Sequence, residues 1–348
     1  MIYTPSTPAM QPQNRLCERV AGQPRACYDA IMIRIVSLFA LLLTGLLLAT
    51  TPAVAAQKPA TTATPPPQVA TAPAGLSAPP PATLRQDSFH IEPLGKDVYA
   101  AIAKIGGKAT SNAMFVIGEQ YVVAAGAHMT KEVIQDLRTE IVALTAKPIR
   151  YFVLAHHHPG FTHIDFDFPA GQDVIMSWQA WQEMSGAVRK PDFPILFFNE
   201  GLTLKPGGTT VILTNIGRGH SAGDVVTFIP EAGVVLASDL FYVNSVGYMG
   251  GGYMREWILA LDFLEQIGAD KIIPGTGPVS GVDEVAAFRE FFKEFLTAVL
   301  VRVERGDTLE QVLKDFDMPK YRQMNGYQQM IKVNLRRAYT ELKEDFGK

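Results

Sequence analysis

Three consecutive histidines, His156-His157-His158, close the apolar run Tyr151-Phe152-Val153-Leu154-Ala155 and lead into Pro159-Gly160-Phe161. The run is short, continuous and apolar, which predicts a buried β-strand. Where a chain leaves such a strand in extended form, residues two apart point the same way. His156 and His158 therefore share one side and His157 takes the other. Neutral imidazoles suit zinc, and two of them supply half of a tetrahedral shell. A histidine pair does not make a metal site alone, because structural histidines recur at this spacing too.

A third histidine stands in Gly217-Arg218-Gly219-His220-Ser221-Ala222-Gly223-Asp224. Beyond it, Gly233-Val234-Val235-Leu236-Ala237-Ser238-Asp239 reads as a strand ending on a carboxylate, and Lys271-Ile272-Ile273-Pro274-Gly275-Thr276-Gly277-Pro278 follows. In this order and at these separations the four segments resemble the metallo-β-lactamase superfamily, over residues 88–280. The resemblance implies an α+β fold, the four-layer αββα sandwich. It also implies one metal on His156, His158 and His220, with Asp239 between that ion and a second; where the second ion is absent, Asp239 is the candidate catalytic carboxylate, orienting the water or taking its proton.

The same resemblance marks departures. Gly160 stands where the family has Asp, Phe161 where it has the third His of its first motif, and Thr276 where its last loop carries His. Tyr121-Val122-Val123-Ala124-Ala125-Gly126 ends on Gly at the place of a supporting Asp. Glycine and phenylalanine offer no ligand and a neutral hydroxyl is a poor one, so the first metal site is kept and the second is lost. His163, two residues past Phe161, is a possible substitute ligand. His157 is expected at the surface or behind the ligands, and His128 as a structural residue or at the rim.

The 348 residues carry a formal net charge of −3 and are 47% hydrophobic, the balance of a globular chain with an ample core. No Lys/Arg-rich block offers a surface for nucleic acid. Residues 35–48 form an apolar stretch behind Arg34, and Ala53-Val54-Ala55 has the small-x-small pattern of a cleavage site. This is the layout of a secretory signal peptide, too short for a comfortable membrane span. The expected organisation is an upstream extension over 1–31, whose translation Met32 as an alternative start puts in question, and a signal peptide over 32–55. A Pro/Ala-rich linker follows over 56–87, then the domain over 88–280 and a helical C-terminal extension over 281–348. Export, to the periplasm in a Gram-negative host, would bring the chain to a membrane only in transit. Cys17 and Cys27 both lie upstream of Met32. A chain starting there has no thiol for zinc or disulfides.

Within the domain, strands are expected at 98–103, 112–117, 121–125, around Val174, and at 195–198, 210–214, 225–229 and 234–237. Thr130 is the expected cap of a helix with Val133, Leu137, Ile141 and Leu144 on its apolar face. Trp257, Leu261 and Leu264 mark another helix, closed by Gly268. Val285, Phe288, Phe292, Phe295, Leu296 and Val299 recur at helical spacing, and a last helix is expected over 324–343. The glycine-rich stretch 247–253 lacks the Lys-Ser/Thr ending of a phosphate loop and reads as a flap beside the metal. Asp165 and Asp167 read as solvated, Trp178 and Trp181 as core, with the lining of the substrate cleft as the alternative.

Two functions remain open at this level. One is an exported zinc hydrolase of small molecules, holding one ion and attacking a lactam, lactone, thioester or ester carbonyl with metal-activated water. The other is a non-catalytic binding protein on the same fold with a decayed metal site.

Overall fold

The computed structural model describes residues 88–127, 130–158, 166–184 and 193–346. The expected signal peptide and linker, and His128, Gly160, Phe161, His163 and Asp165, lie outside the described residues. The described residues fall within one compact unit, Gly75–Lys348.

Seven strands form the first sheet in sequence order: β1 (Phe89–Gly95), β2 (Val98–Ala103), β3 (Ala113–Ile117), β4 (Val122–Gly126), β5 (Ile149–Leu154), β6 (Asp173–Ser177) and β7 (Ile195–Phe198). The first four run antiparallel and β4 to β7 parallel. The second sheet holds β8 (Gly201–Leu204), β9 (Val211–Gly217), β10 (Asp224–Ile229), β11 (Val234–Tyr242) and β12 (Lys271–Thr276), in the order β12-β11-β10-β9-β8. Six helices accompany them among the described residues: α1 (Lys131–Leu144), α2 (Trp178–Met184), α3 (Met254–Gln266), α4 (Val282–Glu304), α5 (Leu309–Asp315) and α6 (Tyr327–Phe346).

Three apolar cores separate the layers, and period-two alternation along the strands creates them. Met114 and Val116 of β3, with Val153 of β5, face Leu213, Val225 and Leu236 of the second sheet. Their neighbours Phe115, Ile117, Phe152 and Leu154 face Val133, Ile134, Leu137 and Ile141 of α1. On the far side, Val226, Val235 and Ala237 pack against Trp257 and Leu261 of α3 and the phenylalanines of α4. The result is the αββα sandwich, with α4 to α6 adding a helical extension to its outer face. Among the described residues no helix is long and apolar enough to cross a membrane.

Thr130 caps α1 by accepting from the Val133 amide, and Gly268 follows α3 with φ +75°. Leu144, expected on the buried face of α1, is instead 49% exposed. It is the last helical residue, where the chain already turns toward β5. The strand expected to end at Asp239 continues to Tyr242. Its pairing with β12 shifts on both sides of Ser238, whose φ is +51°. Asp239 is thus turned out at a break inside a strand, which apolar periodicity does not register.

Candidate metal centre

Three segments deliver the four side chains that converge here. His156 and His158 follow β5, His220 lies in the turn between β9 and β10, and Asp239 sits at the break in β11. One donor atom from each lies within 4.8 Å of the other three. His220 Nε2 is 3.1 Å from His158 Nε2. Asp239 Oδ2 is 3.7 Å from His156 Nε2 and 3.8 Å from His220 Nε2. Ligands tetrahedrally placed around one ion at zinc distances are about 3.3–3.6 Å apart, so these separations fit a single cation.

The outer ring nitrogens are oriented from behind. Ser238 Oγ lies 3.3 Å from His156 Nδ1, and the Tyr242 hydroxyl 3.4 Å from His220 Nδ1. Partners of this kind fix which nitrogen of an imidazole faces a metal. Ser111 donates to Asp239 Oδ1 at 2.7 Å and leaves Oδ2 toward the imidazoles. Gly275 lets the carboxylate sit there, because a Cβ at that position would lie 2.3 Å from Asp239 Oδ1. Next to Ser111, the buried Asn112 donates to the carbonyls of Pro274 and Gly277, tying β3 to the end of β12.

Burial sets the charge states. It lowers His158 to about 4, with help from the neighbouring His157, and drives His220 well below the usual histidine value. Both rings are therefore uncharged near neutral pH, the form that ligates metal. Burial raises Asp239 to about 6 against the hydrogen bonds from Ser111 and Tyr242. Asp224 is raised to about 7, also by burial, against the Ser221 hydroxyl and amide that it accepts. That contact closes the turn carrying His220.

His157 does not join the cluster. It is 3% exposed rather than at the surface, and neither ring nitrogen has a hydrogen-bond partner. Its Nε2 lies 3.6 Å from Glu183 Oε2 of α2. Thr276 ends β12 half-buried, and its carbonyl accepts from the Val243 amide. Asp167 is exposed, as expected, whereas Trp178 is 39% exposed and only Trp181 packs on the core.

Sequence reasoning missed Ser111, Ser238, Tyr242 and the role of Asp224. Asp224 carried a local signal, since Ser221 and Asp224 are close enough in sequence to close a turn. Ser111 carried none, being 128 residues from the carboxylate it holds.

The sequence model of the metallo-beta-lactamase superfamily matches residues 135–276. Among solved structures, a metallo-beta-lactamase from Pontibacter korlensis is similar with a TM-score of 0.52 at 19% identity, over 59% of this chain and 99% of its own. The FIM-1 enzyme of Pseudomonas aeruginosa, in its mono-zinc form, gives 0.51 at 17% identity, over 61% and 98%. The DIM-1 metallo-beta-lactamase gives 0.51 at 15% identity, over 60% and 98%. No curated protein matches the chain in sequence. The chain has the fold of the metallo-β-lactamase superfamily, and it joins to that fold a His-His-His-Asp cluster able to hold a metal.

Proposed function

We propose that this chain is an exported metal-dependent hydrolase, with one zinc ion held by His156, His158 and His220 and a small carbonyl compound as substrate. The observation that carries the reading is the convergence of three imidazoles and one carboxylate on a single point. Zinc bound there supplies a Lewis acid and lowers the pKa of water to about 7. Ser238 and Tyr242 orient the imidazoles, and Ser111 holds Asp239 with one oxygen directed inward. Asp239 Oδ2, turned toward the imidazoles, is placed to take a proton from that water. The lactam, lactone, thioester and ester classes meet these requirements.

Gly160, Phe161 and Thr276 support a single ion, since they offer little at the places of second-site ligands. The mono-zinc form of the FIM-1 enzyme is a relative of this fold with one ion. Without a second ion to steady the leaving group, substrates with good leaving groups are favoured. Elemental analysis of the purified domain should give one zinc per chain, with hydrolysis of activated esters or lactams lost on chelation. Two equivalents, or none after reconstitution, would refute the one-ion reading. One equivalent without turnover would favour a non-catalytic binding protein.

A further inference from the structure

Between β11 and α3 the chain passes beside the metal centre without joining either sheet, and Tyr248 is its nearest ring. That ring stands edge-on to His158 at 5.6 Å and to His220 at 6.4 Å, and the residue is 39% exposed. Its ring lies over Gly250, where a Cβ would come within 2.7 Å of the Tyr248 Cε2 and hydroxyl. A bare backbone at 250 is what lets the ring lean on this segment.

The segment is gripped by the last helix. Asn334 of α6 is fully buried. Its Nδ2 donates to the Gly247 carbonyl at 3.0 Å, and its Oδ1 accepts from the Met249 amide at 2.8 Å. One side chain thus holds the peptide groups on both sides of Tyr248, in place of a neighbouring strand. Arg337 donates to the Gly252 carbonyl at 2.6 Å, and Glu341 accepts from the amides of Met254 and Arg255. Positions 334, 337 and 341 share one face of a helix. That face is laid along the segment.

We propose that Tyr248 is a specificity-determining residue, walling the mouth against a flat apolar or aromatic acyl group, and that Asn334 is its positioning residue. The proposal rests on the hydrolase reading for the role of Tyr248. The grip of Asn334 stands independently of it.

The test uses the zinc-loaded protein with p-nitrophenyl phenylacetate and p-nitrophenyl acetate, together with amide hydrogen exchange over 247–253. Tyr248→Ala should raise KM for the phenylacetyl ester by about tenfold relative to the acetyl ester, with kcat and zinc content little changed. Tyr248→Phe should keep the parental ratio, because the ring forms the wall. Asn334→Ala should speed exchange over 247–253 and reproduce the selectivity loss of Tyr248→Ala. Asn334→Asp keeps the acceptor for Met249 and should fall between. An unchanged ester ratio in Tyr248→Ala, which alters a part-exposed side chain and is expected to fold, would overturn the specificity role. Parental exchange in Asn334→Ala would overturn the positioning role alone. A parent with neither zinc nor turnover sinks the hydrolase reading, and the role of Tyr248 with it, while the exchange measurement still decides on Asn334.

Discussion

The sandwich and the C-terminal helices are organised on different principles. The sandwich places its functional side chains by strand geometry: each candidate ligand sits at a strand end, a turn or a strand break, and polar neighbours from other strands orient it. The helices α4 to α6 lie beyond residues 135–276, where the superfamily match ends, and bury an aromatic face. Two contacts lead from them toward the centre, each through another segment: Trp257 of α3 and the stretch bearing Tyr248. Trp257, packed on Phe292 of α4, stands edge-on to His220 at 5.2 Å and donates to the Leu240 carbonyl. Asn334 of α6 fixes the segment bearing Tyr248. The comparison teaches that the sandwich supplies the candidate donors, while the appended helices hold the segments packed beside them.

The largest expected effect is the loss of metal. His158→Ala should reduce bound zinc from one equivalent to near zero, measured by elemental analysis after dialysis, because the remaining donors leave the cation under-coordinated. Retained zinc would place the ligands elsewhere. On the helical side, Phe295→Ala removes a fully buried ring packed on Phe291 and Phe316 and should cost about 3–5 kcal/mol of stability. Zinc content below the new melting temperature should stay parental. Zinc loss from the folded variant would break the division between the two regions.

Ser111→Ala releases Oδ1 of Asp239, the proton-accepting carboxylate, and should lower zinc-dependent ester hydrolysis by about 10–100-fold with one zinc retained. Asp239→Asn sharpens the electrostatic side. The folded carboxyl titrates at about 6 and the ordinary value is 3.8. Its folded state therefore favours the proton, and metal-free stability falls as pH rises through that window. Thermal unfolding after chelation should show Asp239→Asn stabilised at pH 8 and near parental at pH 3.5. Equal shifts at both values would refute burial as the cause. The smallest effect on zinc is expected from His157→Ala, since that ring faces Glu183. Loss of zinc equal to that in His158→Ala would show that alternation fails in this segment.

The four residues of the candidate cluster were legible because they are written in short motifs, and the layers because alternation along β3, β4 and β5 assigns each residue a face. Residue type alone also argued against ligation at Gly160, Phe161 and Thr276. Tertiary structure decided how the donors are held. Ser111 reaches Asp239 across 128 residues, Asn334 reaches Met249 across 85, and the Ser238 break redirects a strand that its letters continue. Local periodicity records which side of an element is apolar. Which distant hydroxyl or amide satisfies a buried polar group depends on packing, and only the folded chain settles it.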